Sequence, residues 1–311
     1  MRTSFVRCLC DLAEHDPNIF LVCADLGYSV LEAFAERFPN QYLNAGVAEQ
    51  NMTGVAAGLA LAGKTVFTYS IANFPVMRCL EQIRNDVCYH NLSVKIVAVG
   101  GGLAYGSQGY THHGVEDLAV MSAMPNLAVA APADPVEARA ITKLFAARPG
   151  PGYLRLGKAG ERTLHPDSTL VQFGKAIQVA DGSDLTIIST GGMLGVALEA
   201  RKMLAERKIE ARIFSMPFLV PLDASAIESS AQQTGRILTV EEHGPGGLGT
   251  LVGEALALQG SPAAFHPVRL ARNPIKISGS QEELRSAQGL SASGIAQAAE
   301  RLCNVACAEP R

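Results

Sequence analysis

One carboxylate stands out among the residues able to do chemistry, because it follows a glycine turn and precedes a long uncharged run. Glu49 comes three residues after Gly46, and residues 51–62 carry no charge and are mostly small or apolar. A helix with small apolar residues on every side is typical of a protein interior. Buried carboxylates are rare unless they are paired or used in function. Glu49 is therefore either a functional carboxyl group at the start of a buried helix or a first-turn residue that only stabilises the helix N-terminus.

A second group of candidate residues lies in the longest irregular stretch, residues 100–114, where glycine, tyrosine and histidine crowd together. Long ordered loops in compact domains are usually functional. His112 is a candidate for acid–base chemistry or for hydrogen bonding to a substrate, whereas we expect a structural role for His113. Adjacent histidines point apart, and no Cys or carboxylate lies at ligand spacing, so we expect no metal site in this chain.

Composition narrows the classes of protein to consider. The chain has 311 residues, of which 48% are apolar and 6% aromatic, and its formal net charge is −3. That length allows two domains with proper cores, and the charge gives no basic surface for nucleic acid. We expect no membrane partner, because the longest apolar runs contain glycine and are shorter than a membrane span. Seven cysteines without CxxC or Cys/His metal spacing, and the lack of a signal-peptide apolar region, favour a cytoplasmic protein.

Short apolar runs typical of buried parallel strands alternate with segments of helical character. The predicted strands are residues 19–24, 65–70, 94–99, 127–131, 152–156, 185–189, 212–216 and 237–240. The predicted helices are residues 5–14, 75–89, 135–147, 194–207, 224–233, 247–258, 281–287 and 293–303, besides the one after Glu49. The alternation breaks in the polar segment 157–173. We therefore expect an α/β fold of two consecutive domains, residues 1–160 and 170–311, each a mostly parallel sheet covered by helices.

A Gly-x-Gly-x-x-Gly pattern at residues 244–249 lies between a predicted strand and a predicted helix. Alone, this pattern is weak evidence for a dinucleotide site. Pro245 and the negative charges of Glu241 and Glu242 at its entrance favour a tight strand-to-helix turn instead.

Several segments, in colinear order, resemble the transketolase-like, thiamine diphosphate-dependent enzymes. They are residues 24–29 (first ligand loop), 44–52 (glutamate signature), 70–84 (cofactor-stacking segment), 106–112 (Gly-Asp-Gly-x-Thr-His loop), 125–127 and 132–134 (next strand), and 240–243 and 279–284 (C-terminal domain). The resemblance covers nearly the whole chain. It implies a pyrimidine-binding domain, residues 1–160, followed by a transketolase C-terminal-type domain, residues 170–311.

The resemblance implies thiamine diphosphate as the cofactor, together with Mg²⁺, and it implies roles for two residues. In the family a glutamate hydrogen-bonds N1′ of the aminopyrimidine ring and favours its imino tautomer, and Glu49 occupies that position. A carboxyl group in apolar surroundings shares a proton more readily than an exposed one. Phe74 would stack on the pyrimidine ring.

The resemblance also implies residues that bind substrate. His112 would hydrogen-bond the substrate oxygen near the reacting carbon and act in catalysis, and Ser29 and Arg155 would hold a distal phosphate. Two positions depart from the family pattern. Gly100 stands where transketolases usually have a histidine, and Gln108 stands where they have the aspartate that reads the substrate's 2-hydroxyl. We therefore expect a changed preference for donor or acceptor, because Gln108 is neutral and can both donate and accept.

No Gly-Asp-Gly motif occurs in the chain, although full-length transketolases hold the diphosphate and Mg²⁺ with a Gly-Asp-Gly…Asn motif. The resemblance therefore implies the β subunit of a split transketolase, which transfers a two-carbon ketol unit between a ketose or ketose phosphate donor and an aldose-type acceptor. The Mg²⁺ ligands are expected on an α subunit, in an α₂β₂ assembly with self-association of this chain. Tyr28, Phe74 and residues 100–114 would then be partly exposed in the lone chain.

Three other functions remain open from the sequence. One is the β subunit of a 2-oxo-acid dehydrogenase, and another is a deoxyxylulose phosphate synthase-like activity. The Thr111-His112 spacing and Arg155 favour the transketolase interpretation over both. The third is a non-catalytic assembly subunit, against which the retention of Glu49 and Phe74 argues.

Overall fold

The structure is a computed structural model, and it describes residues 1–304. Within that range the strands form two sheets, and helices flank both of them. The strands are β1 Ile19–Cys23, β2 Tyr42–Asn44, β3 Thr65–Ile71, β4 Val94–Val99, β5 Ala128–Ala130, β6 Gly152–Leu156, β7 Ile177–Ala180, β8 Leu185–Ser189, β9 Ala211–Ser215, β10 Phe218–Val220, β11 Arg236–Val240 and β12 Ala264–Val268.

The α-helices connect these strands and cover them. They are α1 Arg2–His15, α2 Glu32–Arg37, α3 Glu49–Leu61, α4 Phe74–Met77, α5 Leu80–Gln82, α6 Asp117–Ser122, α7 Pro135–Ala147, α8 Met193–Glu206, α9 Ala224–Thr234, α10 Leu248–Leu258, α11 Gln281–Ala287 and α12 Ala292–Cys303. No helix in the described range is long and apolar enough to span a bilayer.

The first sheet has seven strands in the spatial order β10-β5-β6-β4-β3-β1-β2, and the second has five in the order β12-β11-β8-β9-β7. All pairs are parallel except β10 with β5 and β7 with β9. Alternate residues along a strand point to opposite faces, so Val66 joins one apolar core and Phe67 another. The predicted fold class, two mostly parallel sheets with helices around them, is confirmed.

Local chemistry explains why some helix boundaries follow directly from the sequence. The Asp134 side chain accepts hydrogen bonds from the peptide N–H groups of Val136 and Glu137, and Pro135 takes the first helical position of α7. Ser280 and Glu283 form a reciprocal capping box at the start of α11. These caps satisfy N–H groups that have no partner inside a helix.

Two expectations about helices are wrong. The predicted helix of residues 75–89 is interrupted at Cys79, whose φ and ψ of −108° and 11° are not helical, and it ends in a π-helical turn, Ile83–Cys88. The helix after Glu49 is not enclosed on every side. Its inner face is buried, but Gly54, Gly58 and Leu61 face solvent, and the Leu61 side chain is 69% exposed.

Strand β10 was missed in the sequence, and it joins the two halves of the chain. It follows β9 of the second sheet, yet it pairs antiparallel with β5 at the edge of the first sheet, placing Phe218 opposite Ala130. The core on that side of the first sheet continues into the second, since Met52 and Ile188 belong to one cluster. The two halves of the chain are therefore linked by a strand pairing and by a shared apolar core.

Candidate functional site

The candidate residues converge because parallel strands end at the same edge of a sheet, where ligands bind in α/β folds. Strands β3 and β4 are neighbours, so the turn at Phe74 lies beside the loop of residues 100–114. The Asn73 amide donates a 3.0 Å hydrogen bond to the Thr111 carbonyl. The Thr111 hydroxyl lies 3.0 Å from His112 Nδ1. These bonds fix the position of His112 relative to Phe74.

Six side chains, which we call the site row, contact one another in sequence along this edge. They are Glu49, Arg78, Phe74, His112, Tyr105 and Lys158.

At the first end of the site row, Arg78 Nη1 lies 3.0 Å from Glu49 Oε2. The Arg78 guanidinium lies 4.6 Å from the centroid of the Phe74 ring. The His112 ring meets Phe74 edge-on, with their centroids 5.3 Å apart. The structure therefore brings together the three residues predicted for cofactor binding and catalysis: Glu49, Phe74 and His112.

At the other end, the Tyr105 ring centroid lies 6.3 Å from that of His112. Lys158 Nζ lies 4.8 Å from the Tyr105 centroid on the far side of the row. Lys158 also lines a cavity of about 1000 Å³ between the two sheets. The site row thus runs from a buried carboxylate to an exposed ammonium group.

Glu49 has the surroundings of a functional carboxylate rather than of a surface one. It begins α3 after Gly46, whose φ is +73°, and only 5% of it is exposed. Its carbonyl accepts from the Thr53 hydroxyl at 2.9 Å. Arg78 supplies its only ion pair within residues 1–304, and that arginine is 53% exposed.

The contacts of Arg78 test whether an aminopyrimidine ring fits this end of the row. A guanidinium group is flat and cationic, and here it both stacks on Phe74 and pairs with Glu49. A flat nitrogen heterocycle bound here would use the same two contacts, one with the Phe74 ring and one with the Glu49 carboxyl group. The residues present therefore fit the pyrimidine ring. Within residues 1–304 no group of three or more His, Cys, Asp or Glu side chains could hold a metal ion.

The predicted substrate residues Ser29 and Gln108 are both exposed. Ser29 has a φ of +60°, and its peptide N–H donates to Glu32 Oε1 at 2.7 Å. Gln108 ends a short 3₁₀ turn, Gly106–Gln108. No contact joins either side chain to the site row in the described part of the chain, so their roles stay predictions.

Arg155 lies beneath the loop and is 7% exposed. Its Nη2 donates to the carbonyls of Gly114 and Glu242, at 2.5 and 3.1 Å, and its Nε lies 3.0 Å from Asp117 Oδ2. The Tyr153 hydroxyl donates to the same carboxylate at 2.6 Å. The structure therefore gives the Arg155 guanidinium contacts within the protein and joins the loop to the second half of the chain.

Two buried titratable groups lie next to the Arg155–Asp117 pair, and their pKa values are shifted in opposite directions. Burial lowers the pKa of His243 to about 4, and its Nε2 accepts from the Leu118 N–H at 3.1 Å. Burial raises the pKa of Glu241 to about 7, although its carboxylate accepts from the N–H groups of Leu248 and Gly249 at the start of α10. In each case a low-dielectric interior disfavours the charged form.

Sequence reasoning missed Arg78, Tyr105 and Lys158. Arg78 comes four residues after Phe74, which is the spacing that brings side chains together on a helix. Lys158 comes two residues after β6, at the strand end where ligand groups gather. Both of these spacings can be read from the sequence. Tyr105 lies in an irregular loop, where sequence spacing gives no direction for a side chain.

Two family descriptions match the chain. "Transketolase, pyrimidine binding domain" matches residues 1–161, and "Transketolase, C-terminal domain" matches residues 174–295. Among solved structures, one described as a split gene transketolase, inactive beta4 tetramer, superimposes with a TM-score of 0.88 at 36% identity, and the match covers 97% of both chains.

Known proteins of similar sequence include single subunits of transketolases. The chain is 40% identical to one subunit of the apulose-4-phosphate transketolase of Phocaeicola vulgatus, over 96% of both chains. It is 33% identical to a subunit of the 6-deoxy-6-sulfo-D-fructose transketolase of a Clostridium species, over 97% of this chain and 94% of that one. A 1-deoxy-D-xylulose-5-phosphate synthase of Heliobacterium modesticaldum is also 33% identical, but the match covers only 46% of that protein.

Proposed function

The chain belongs to the transketolase family, as the β subunit of a split, thiamine diphosphate-dependent enzyme, and we propose that its site row lines the cofactor's pyrimidine ring and the substrate. The observation that carries this proposal is the contact series from Glu49 through Phe74 to His112. When bound, thiamine diphosphate supplies a nucleophilic carbon for ketol transfer. The protein's part is to orient that group and to control protons around it.

Glu49 would hold a proton between its carboxyl group and N1′ of the pyrimidine. Its low exposure, 5%, keeps water away from that hydrogen bond, and an electrostatic interaction is stronger where water is excluded. Phe74 would support the ring face, and its place beside His112 sets the direction from the ring to the substrate. Arg78 occupies both contacts, and its exposed side chain has room to move aside.

His112 would hydrogen-bond the substrate oxygen nearest the reacting carbon. Its imidazole is partly exposed and is held through Thr111 and Asn73. A hydrogen-bond donor placed in advance stabilises negative charge that develops on an oxygen during reaction. That role needs the fixed geometry that these two bonds supply.

Lys158, rather than Arg155, is our candidate for the cation that binds a distal anion. The Arg155 guanidinium is buried among protein acceptors, whereas Lys158 is exposed at the end of the site row. The two transketolase relatives are named for a phosphorylated and a sulfonated sugar. We therefore propose a sugar with an anionic end as substrate, with Ser29 and Gln108 as further contacts.

The assembly we propose is α₂β₂, with the diphosphate and Mg²⁺ ligands on the α subunit. Val47, which precedes Glu49 by two residues, is 75% exposed, and Tyr28 and Leu61 are 71% and 69% exposed. We propose that the partner subunit covers these exposed side chains. The active site would then be complete only between subunits. We also propose a cytoplasmic location.

The test is to express the chain with a partner subunit that carries Gly-Asp-Gly…Asn and to measure mass by light scattering. We expect ketol transfer only from the mixture, and a mass of two copies of each chain. Thiamine diphosphate should bind the lone chain weakly or not at all in calorimetry. A monodisperse lone chain with ketol-transfer activity, or tight Mg²⁺-dependent cofactor binding by it, would refute the assembly.

A further inference from the structure

Tyr105 lies at the centre of the substrate end of the site row, and its position depends on a residue that has no side chain. Gly100 has a φ of +77°, a conformation that favours glycine. A Cβ atom placed on Gly100 would overlap the Tyr105 ring. The ring therefore fills the space that a side chain at residue 100 would need, and a larger residue there would displace it.

Lys158 meets the same ring from the neighbouring strand. The peptide N–H groups of Gly100 and Gly101 both donate to the Leu156 carbonyl, at 2.8 and 3.2 Å. This shared carbonyl ties the end of β4 to the end of β6. Lys158 follows Leu156 by two residues, so the hydrogen bonds that fix Gly100 also fix the start of the Lys158 segment.

Tyr105 is 9% exposed with the Lys158 side chain in place, so the protein, including that side chain, covers most of the residue. Lys158 Nζ lies 4.8 Å from its centroid, within the range of a cation–π contact. A lysine side chain otherwise samples many rotamers. Packing against a fixed ring restricts the ammonium group to the end of the site row.

We propose that Tyr105 is a positioning residue that sets the preference of the site for substrates with an anionic group remote from the reacting carbon. The inference rests on the proposed function. It assigns the preference for an anionic substrate to the ring of Tyr105 and to the absence of a side chain at Gly100. The ring holds Lys158 where a phosphate or a sulfonate would reach it while His112 contacts the reacting end. Both anions are compact and share this chemistry.

The main test is kinetic and uses the reconstituted enzyme with one ketose donor held constant. The acceptors are D-glyceraldehyde 3-phosphate and D-glyceraldehyde, and the quantity is the ratio of their kcat/KM values. Tyr105→Leu should lower that ratio about tenfold, the equivalent of one cation–π contact, mainly through the KM of the phosphorylated acceptor. Tyr105→Phe keeps the ring and should stay within about twofold of the wild-type ratio.

Two outcomes of this test overturn the inference. A wild-type ratio in Tyr105→Leu means that the ring does not position Lys158. An equal loss in Tyr105→Phe assigns the effect to the hydroxyl group. Competition by inorganic phosphate and by methanesulfonate, measured in parallel, distinguishes the two kinds of anion, since the stronger competitor is the one that the site prefers.

A double-mutant cycle tests the dependence on Gly100. Gly100→Ala should lower the ratio about as much as Tyr105→Leu, because its Cβ displaces the ring. In the Tyr105→Leu background the same change should have little further effect on the ratio, since the ring is already gone. Additive losses would show that Gly100 acts independently of Tyr105 and would contradict the inference.

A labelling experiment needs no turnover and separates this inference from the proposed function. Acetic anhydride modifies exposed lysines, and mass spectrometry of the assembled complex reports each site. Inorganic phosphate should protect Lys158 in the wild type but not in Tyr105→Leu, and Lys208, exposed at the end of α8, serves as the control. Equal protection in both proteins overturns the inference, whereas an inactive wild-type complex with the expected protection overturns the ketol-transfer assignment alone.

Discussion

Among the described residues, two of the arginine–carboxylate pairs near the loop of residues 100–114 have the same separation and different exposure. Arg78 and Glu49 are 3.0 Å apart, as are Arg155 and Asp117. The Arg78 side chain is 53% exposed, whereas that of Arg155 is 7% exposed. The Arg155 side chain also donates to two carbonyls, while the Arg78 side chain hydrogen-bonds only Glu49 within the described residues.

This difference distinguishes a half-exposed pair from a buried one. A buried ion pair is expensive to break, because removing one partner leaves a charge in a low-dielectric interior. When a pair with one exposed partner opens, water solvates that partner, so less charge is left uncompensated than in a fully buried pair. Arg78 can therefore leave Glu49 at a smaller cost than Arg155 can leave Asp117, provided that a ligand hydrogen-bonds the Glu49 carboxyl group in its place. An arginine–carboxylate pair can therefore hold a loop in place, as Arg155–Asp117 does, or open more readily, as we expect of Arg78–Glu49.

We call Arg78–Glu49 the open pair and Arg155–Asp117 the closed pair. The largest expected effect is on turnover at the open pair. Glu49→Gln should fold as the wild type does and lose activity by about 10²–10⁴-fold, because an amide cannot share a carboxyl proton in acid–base catalysis. Steady-state kinetics of the reconstituted enzyme measure this. Glu32→Gln is the matched control, since Glu32 also lies in the first turn of a helix but is exposed. Near wild-type turnover in Glu49→Gln would reduce Glu49 to a helix-start residue.

The next effect is on stability at the closed pair. Arg155→Met should lower the free energy of unfolding by about 3–5 kcal/mol, because Asp117 would remain buried without its cation. Urea titration followed by circular dichroism gives this value. In the double variant Arg155→Met/Asp117→Leu, we expect part of the loss to return, since no unpaired charge is left. If Arg155→Met lowers the free energy of unfolding by less than about 1 kcal/mol, the scale of an exposed pair, the Arg155–Asp117 pair does not hold the loop in place.

A third effect is a pH dependence of stability. Two buried groups beside the closed pair, His243 and Glu241, change stability with pH in opposite directions, so their effects oppose each other in the wild type. Between pH 4 and 6.5 the unfolded chain binds a proton at His243 that the folded chain does not, so this residue makes stability rise with pH. Between pH 4.5 and 7 the folded chain binds a proton at Glu241 that the unfolded chain releases, so this residue makes stability fall with pH. Each contribution is on the order of 3 kcal/mol, and they oppose each other.

Two variants separate these contributions. Relative to the wild type, Glu241→Gln should make stability rise more steeply from pH 4 to 7, and His243→Asn should make it fall. Thermal unfolding followed across that pH range provides the measurement. Parallel pH profiles for both variants and the wild type would show that neither group titrates differently in the folded protein.

The smallest expected effect is on stability at the open pair. Arg78→Met should lower the free energy of unfolding by less than Arg155→Met does, because Arg78 is half-exposed and makes one ion pair, whereas Arg155 is buried and also donates to two carbonyls. The same urea titration as for Arg155→Met makes the two numbers directly comparable. A loss as large as that of Arg155→Met would remove the distinction between the two pairs.

Much of the fold could be predicted from local patterns, since caps and apolar runs are encoded in neighbouring residues. Helix α7 and strand β6 have the boundaries that the sequence predicts, because Asp134 and Pro135 mark the helix start and the strand is continuously apolar except at Arg155. Strand β10 could not be predicted in this way. It has three residues, and its partner β5 lies far away in sequence, so its pairing is decided by tertiary packing alone.

The sequence by itself determined the family, the two-sheet class and the candidates Glu49, Phe74 and His112, because each of these rests on a short run of residues. Only the tertiary structure decided which cations lie in the site row. It buried Arg155 among protein acceptors and placed Arg78 and Lys158 at the two ends of the site row. The physical reason is that exposure and hydrogen-bond partners come from chain segments brought together in space, and spacing along one strand or loop carries no record of them.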